Sequence, residues 1–142
     1  MVAGEPRGHE LIEHTADVGL RVWSPTLDEL FAEAAIGLVN VMGTASGPLV
    51  KSEAVSMEAP DLEGLLVDWL SEVLFLFEAH EIVPADVRVH VADDRKSLQA
   101  SIEGPSTDAF RDHGPAVKAV TYHGLEIKPV GEGYEARVYL DV

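Results

Sequence analysis

The segment His14–Gly19, HTADVG, places an imidazole, a hydroxyl and a carboxylate close together, next to a glycine. A second carboxylate, Asp141, is the penultimate residue of the sequence. If the last strand runs beside HTADVG, then Asp17, Asp141 and the carbonyl and terminal carboxylate of Val142 converge. Such oxygens are the ligands that hard cations such as Ca²⁺ and Mg²⁺ prefer, so these residues are candidate ligands of a divalent metal. The alternative is that Asp17 forms an Asx turn and Asp141 is a solvated strand end.

Two histidines and one lysine are further candidates. His14 and His123 could act as acid–base groups or ligands, or be structural histidines held by hydrogen bonds. Gly124, beside His123, predicts a bulge or a close backbone approach within a strand. Lys118 lies in the same predicted strand, VKAVTYHGLEIK. It could pair with a site carboxylate or reach a partner's phosphate, or be a solvated edge lysine.

The sequence contains none of the common catalytic motifs. It has no glycine-rich phosphate loop, no Gly-x-Ser-x-Gly motif, no cysteine and no two histidines at i and i+4. One class that stays open is a small metal-dependent hydrolase, with Asp17 and Asp141 on the metal and His14 or His123 as the base. A calcium-stabilised interaction module with another partner also stays open.

Composition limits the partners. The net charge is −15, from 25 acidic residues against 10 lysines and arginines. Such a surface repels phosphate backbones and anionic membranes, so we expect no direct tight binding of nucleic acid and no membrane partner. Without cysteine there are no disulfides or thiolate metal sites. The sequence also lacks an apolar run near 18 residues and a signal-peptide core, and we therefore expect a cytoplasmic protein.

The elements that must position these residues are read from hydrophobic periodicity and turn signals. Two helices are predicted, one beginning after Thr26 in a capping box and one capped by Asp61. In the second helix, Phe75 and Leu76 widen the apolar stripe, so we expect that helix to be central or covered on two sides. The other expected elements are, in order, a strand at Leu20–Trp23, a short strand VSMEA, a hairpin of Val87–Val91 with Leu98–Ile102, a loop from Glu103 to Pro115, the strand around His123, a hairpin loop PVGEG and a last strand YEARVYLDV.

This arrangement predicts the α+β class, with two helices packed on a mixed or mostly antiparallel sheet. At 142 residues the chain suits one domain. We expect residues 1–8 to be a flexible N-terminus and residues 9–142 to form that domain.

Four segments together resemble the archease family. They are HTADVGLRVWSPTLDELFAEAAIGLVNVM, LEGLLVDWLSEVLFLF, VKAVTYHGLEI and the closing LDV. The resemblance runs from about His14 to the last residue, in the family's order. Four separate motifs make it specific, whereas HTAD alone would be weak.

The resemblance implies a non-enzymatic protein with a single α+β domain. Such a protein activates an RtcB-type RNA ligase in tRNA splicing, promotes guanylylation of the ligase and allows multiple turnover. It also implies a divalent metal, calcium in the family, held by Asp17, Asp141 and Val142. Lys118 is implicated in activity by resemblance, and we assign His14 and His123 with it to activation of the partner. The sequence departs from the family in the loop after Glu103, which puts partner contacts by that loop in question.

Overall fold

The computed structural model describes residues 6–13 and 17–142. The α+β prediction is confirmed, and every strand pairing in the described part is antiparallel. The elements in chain order are β1 (Gly8–Glu13), β2 (Asp17–Ser24), α1 (Leu27–Met42), β3 (Gly43–Thr44), β4 (Lys51–Glu58), α2 (Leu62–Ala79), β5 (Asp86–Val91), β6 (Ser97–Gly104), a 3-10 turn (Thr107–Ala109), β7 (Arg111–Asp112), β8 (Ala119–Val130) and β9 (Gly133–Asp141).

The strands of the described part form three sheets rather than the one expected. A four-stranded sheet has the order β1-β2-β9-β8, a three-stranded sheet has the order β4-β6-β5, and β3 pairs with β7. Helix α1 packs on β1, β2 and β9 of the four-stranded sheet and on β5 of the other, while α2 packs on β8 and β4. The two helices therefore bury apolar residues against both larger sheets. In the described part, neither helix is long and apolar enough to span a membrane.

Both helices begin where the sequence predicts. Thr26 Oγ1 accepts a hydrogen bond from the Glu29 N–H at 3.1 Å, and Asp61 Oδ1 accepts one from the Gly64 N–H at 2.7 Å. Each cap satisfies a backbone donor that has no partner within the first helical turn. Asp28 Oδ1 also accepts from the Val91 N–H at 2.8 Å, which ties the start of α1 to the end of β5.

Three local expectations are wrong in extent or type. The strand expected at VSMEA runs over all of β4, and the segment expected as a loop from Glu103 to Pro115 contains the 3-10 turn and β7. The strand β7 exists because Gly43 lets the chain approach Arg111 and Phe110 so closely that a Cβ would clash. The expected hairpin loop PVGEG is shorter in the structure. It is a turn at Gly131 and Glu132, because β8 extends to Val130 and β9 begins at Gly133.

The expectation that α2 is covered on two sides holds for Leu76 and is wrong for Phe75. Leu76 is buried, with 4% of its surface exposed, whereas Phe75 is 53% exposed. The described residues supply no second layer over the Phe75 side of the helix. A large aromatic ring is therefore left at the surface.

Candidate functional site

The two carboxylates of the predicted metal site lie directly opposite each other. Strand β2 pairs with β9 so that Asp17 faces Asp141, and β8 pairs with β9 so that Ala119 faces Asp141. Side chains of directly opposed residues project from the same face of a sheet, with Cβ atoms about 4.5–5.5 Å apart. The expected convergence of Asp17 and Asp141 is therefore what the register produces, at one end of the four-stranded sheet.

The alternation of side chains decides which face carries the two acids. Buried residues of β2 and β9 point toward the helices, and these are Leu20, Val22, Ala136, Val138 and Leu140. Asp17 and Asp141 alternate with that set and therefore project from the opposite, outer face. Val142 follows the inward pattern, since its side chain packs against the core.

The donor set at this sheet end suits a hard divalent cation, because two opposed carboxylates repel each other unless a positive charge lies between them. A complete coordination shell would need more oxygens, from the main chain near Val142 and from water. Among residues 6–13 and 17–142, no three His, Asp or Glu side chains form a group that could hold a metal ion. Any cation bound here would therefore be held by two carboxylates and backbone oxygens.

Lys118 reaches the same end of the sheet but not the same face. Its backbone N–H donates to the Asp141 carbonyl oxygen at 2.7 Å, just before β8 begins. Lys118 is one of the residues that line a groove against α2. Within the described chain, Lys118 makes no ion pair with Asp17 or Asp141.

The structure does not bring His123 to the two carboxylates, and it does not test the prediction for His14. His14 lies outside the described residues, between β1 and β2. His123 is exposed in a bulge of β8, where the register shifts between Thr121 and Glu126. Thr121 faces Tyr139 and Glu126 faces Arg137, so His123 lies level with the part of β9 between those two residues, away from Asp141.

The bulge depends on a close packing contact. Gly124 has a φ of +72°, and a Cβ placed on it would lie 2.7 Å from Tyr139 Cε2. A Cβ on Gly19 would lie 3.0 Å from Cε1 of the same ring. The Tyr139 ring therefore lies against the backbone at Gly124 on one side and at Gly19 on the other. Tyr139 is two residues from Asp141. The bulge or close backbone approach predicted at Gly124 is confirmed: the register shifts between Thr121 and Glu126, and the Tyr139 ring lies against Gly124.

Sequence reasoning missed the side chains that fix the strand before HTAD. Glu33 on α1 contacts both His9 Nδ1 at 2.5 Å and Arg7 Nε at 2.6 Å. The hydrogen bond with His9, with a further one from Arg7, lowers the pKa of Glu33 despite partial burial. Gly37, one turn later, leaves room for the His9 ring. The one signal in the sequence is Gly37 within a helix whose neighbours are good helix formers.

A charged network on the outer face lies farther along the same sheet. Glu135 is buried, contacts Arg21 Nε, and has Lys128 Nζ within 3.9 Å and Arg137 Nε within 3.8 Å. Burial alone would raise the pKa of Glu135, but the Arg21 hydrogen bond and the surrounding cations lower it. Arg21 also pairs with Glu10 at 2.9 Å, which links β1, β2 and β9.

Comparison with known proteins identifies relatives over nearly the whole chain. Residues 9–142 match the model of the archease protein family (MTH1598/TM1083). The chain is 38% identical to protein archease of Methanosarcina acetivorans, over 94% of this chain and 95% of the relative. It is 34% identical to protein archease of Methanosarcina barkeri, over 99% of this chain and 100% of the relative.

Two solved structures superpose on this chain over nearly its whole length. The solution structure of Methanobacterium thermoautotrophicum protein 1598 superposes with a TM-score of 0.80 at 31% identity, covering 95% of this chain and 99% of that one. A crystal structure from Thermotoga maritima, described as an archease and possible chaperone, superposes with a TM-score of 0.64 over 94% and 96% of the two chains; at 19% identity it supports the fold alone. The match over residues 9–142 shows that this chain belongs to the archease family.

Proposed function

We propose that this chain is a non-enzymatic, cytoplasmic protein that activates an RtcB-type RNA ligase in tRNA splicing and RNA repair. It promotes guanylylation of the ligase and so allows multiple turnover. The observation that carries the proposal is the register pairing of Asp17 with Asp141 in a chain of the archease family. These are residues to which the family resemblance assigns a function, and they lie at one end of one sheet.

Asp17, Asp141 and the main-chain oxygen of Val142 would hold a divalent metal, which we propose is calcium. When bound, the cation supplies positive charge that relieves the repulsion between the two opposed carboxylates. The role of the chain's own residues is to fix these oxygens at the end of the sheet. The pairing of β2 with β9, which sets Asp17 opposite Asp141, supports this role.

The charge of the molecule favours a protein partner over direct contact with RNA. A net charge of −15 suits docking near a ligase whose RNA- and nucleotide-binding cleft is basic, and opposes tight binding of nucleic acid or an anionic membrane. Lys118 provides a cation at the acidic end of the sheet, and we assign His14 and His123 to the same activation function. The description of the Thermotoga maritima relative as a possible chaperone suits a protein that acts on another protein.

The test is RNA ligation by the purified RtcB-type ligase from the same source, at excess RNA, with and without this chain. We expect the chain to raise the yield from a single product per ligase to many. Asp17→Asn and Asp141→Asn should remove this rise, whereas Asp93→Asn, in the exposed turn between β5 and β6, should keep it.

A ligase that is competent for one turnover but gains none from this chain would contradict the proposal. Hydrolysis of phosphate esters by the chain alone, lost in Asp17→Asn, would instead support the hydrolase alternative.

A further inference from the structure

The ring of Tyr139 lies beside the Asp17–Asp141 pair on the same face of the four-stranded sheet. Tyr139 is two residues before Asp141 on β9, and it pairs with Gly19, which is two residues after Asp17 on β2. Side chains alternate along a strand, so residues two apart project from the same face. The aromatic ring is therefore next to the two carboxylates on the outer face of the sheet.

This ring contacts all three strands that meet at the carboxylate end. A Cβ on Gly19 of β2 would lie 3.0 Å from Tyr139 Cε1, and a Cβ on Gly124 of β8 would lie 2.7 Å from Cε2. Cε1 and Cε2 are on opposite edges of the ring, so the ring spans from β2 across β9 to β8. A close-packed ring of this size limits how far β2 and β8 can shift against β9.

The packing beside the ring is tight enough to exclude water at one position. Thr121 faces Tyr139 across the pairing of β8 with β9. Its Oγ1 atom is buried and has no hydrogen-bond partner among the residues that the structure describes. Charges interact more strongly where water is excluded. The wall that Tyr139 and Thr121 form beside the carboxylates therefore favours strong binding of a cation.

The two carboxylates lie where strand pairing is weakest. Asp17 is the first residue of β2 and Asp141 is the last residue of β9. The ends of elements open locally more readily than their centres, and the repulsion between two opposed carboxylates favours such opening. The contact of the Tyr139 ring with Gly19 opposes it, because the contact holds β2 against β9 on the face that the carboxylates share.

We propose that Tyr139 is a positioning residue for the cation site. Its ring packs between Gly19 and Gly124 and keeps the Asp17 and Asp141 carboxylates at the spacing that a divalent cation needs. The ring supports the ligands and is not itself a ligand. The inference rests on the proposed function for the presence of a cation, and it adds which residue prepares the two carboxylates for that cation.

The experiment measures the dissociation constant of Ca²⁺ for the metal-free full chain by isothermal titration calorimetry. Tyr139→Leu removes the ring and should weaken Ca²⁺ binding about tenfold or more, which is the range common for residues that orient metal ligands. Tyr139→Phe keeps the ring and should bind Ca²⁺ like the wild type. Thermal melts in chelator establish that each variant is folded.

The matched control is Tyr134→Leu, at the opposite end of β9. Tyr134 is the second residue of that strand and is half-buried, and its hydroxyl accepts a hydrogen bond from Arg95 Nη2 at 3.3 Å. We expect this substitution to lower the melting temperature in chelator, as Tyr139→Leu does, without changing the dissociation constant of Ca²⁺. A purely structural role of Tyr139 would not separate affinity from stability in this way.

Terbium luminescence gives a second readout that does not depend on affinity. Tb³⁺ is a hard cation that binds oxygen ligands as Ca²⁺ does, and it emits when a nearby aromatic ring transfers excitation energy to it. Tyrosine absorbs far more strongly than phenylalanine at the exciting wavelength. We therefore expect Tyr139→Phe to lower the emission at saturating Tb³⁺ and Tyr134→Phe to leave it unchanged.

Three results would overturn the inference for different reasons. Equal Ca²⁺ affinity in the wild type and Tyr139→Leu, with no change of terbium emission in Tyr139→Phe, would overturn the positioning role and leave the metal site intact. Equal loss of affinity in Tyr139→Phe and Tyr139→Leu would assign the effect to the hydroxyl instead of the ring. A wild-type chain that binds neither Ca²⁺ nor Mg²⁺ would overturn the metal site in the proposed function, and with it this inference.

Discussion

Gly124 lies beneath the Tyr139 ring with a φ of +72°, so two separate constraints act on one residue. A side chain there pays for a left-handed backbone, about 1–2 kcal/mol, and also displaces the ring. We expect Gly124→Ala to lower the melting temperature by more than the backbone cost alone, with a further loss of about 1–3 kcal/mol from overpacking. The measurement is thermal unfolding by circular dichroism.

Gly131 provides the matched control for this prediction. Its φ is +59° and a Cβ there would meet no atom within 4 Å, so Gly131→Ala carries the backbone cost without the clash. Equal destabilisation by the two substitutions would show that the Tyr139 contact does not constrain the bulge.

The opposition of Asp17 and Asp141 was expected only on the condition that the last strand runs beside HTADVG, and the pairing of β2 with β9 meets that condition. The contact of Glu33 with His9 and Arg7 could not be predicted from the sequence, because both residues are more than 20 positions away from Glu33. No local pattern distinguishes an acid that faces a distant strand from one that faces water. Phe75 was misread for a related reason, since an apolar periodicity indicates that a face is suited to burial but not what buries it.

At the scale of elements, strand β1 is fastened to helix α1 by the Arg7, His9 and Glu33 side chains. The pKa of Glu33 in the folded chain is lowered from its ordinary 4.5, chiefly by the His9 hydrogen bond. The contribution of the Glu33 charge to stability is therefore complete above the pKa that Glu33 has in the unfolded chain. It is lost as the pH falls through the lower pKa that Glu33 has in the folded chain. We expect Glu33→Gln to cost about 2 kcal/mol at neutral pH, reduced by the partial exposure of the three side chains.

The check is a series of urea unfolding curves from neutral to acid pH. The difference in unfolding free energy between wild type and Glu33→Gln should shrink as the pH falls through the lowered pKa of Glu33 in the folded chain, because the wild type then loses the same charge. Glu132→Gln, at an exposed carboxylate in the turn between β8 and β9, should show no such difference. A difference that stays constant into acid would mean that the Glu33 charge does not fasten β1.

The elements themselves were predictable where local chemistry defines them. Thr26 and Asp61 cap the helices as their types indicate, and the β5–β6 hairpin follows from a period of two on both sides of a polar turn. The strands that the sequence analysis missed, β1, β3 and β7, have few residues of strong strand propensity. They are held by pairing with distant segments, and tertiary contacts of that kind override local propensity.

At the scale of the whole molecule, one end of the four-stranded sheet contains two carboxylates that repel each other and that we propose bind a cation. Asp17 and Asp141 oppose each other in a chain that already carries a net charge of −15. A ligand that binds only the folded chain stabilises it, by about 2.7 kcal/mol when present at about 100 times its dissociation constant. We therefore expect millimolar Ca²⁺ to raise the melting temperature of metal-free protein by several degrees.

The two carboxylates should account for the whole of that response, because the β2–β9 register is formed only in the folded chain. In chelator, Asp141→Asn should melt at or slightly above the wild type, since one of two opposed charges is gone. In Ca²⁺ its melting temperature should stay where it was, while Asp93→Asn should respond like the wild type. Parallel titrations with Mg²⁺ would identify the preferred cation. If wild type and Asp141→Asn gain equally from Ca²⁺, the ion acts elsewhere on this acidic surface, and the opposed pair is not the metal site.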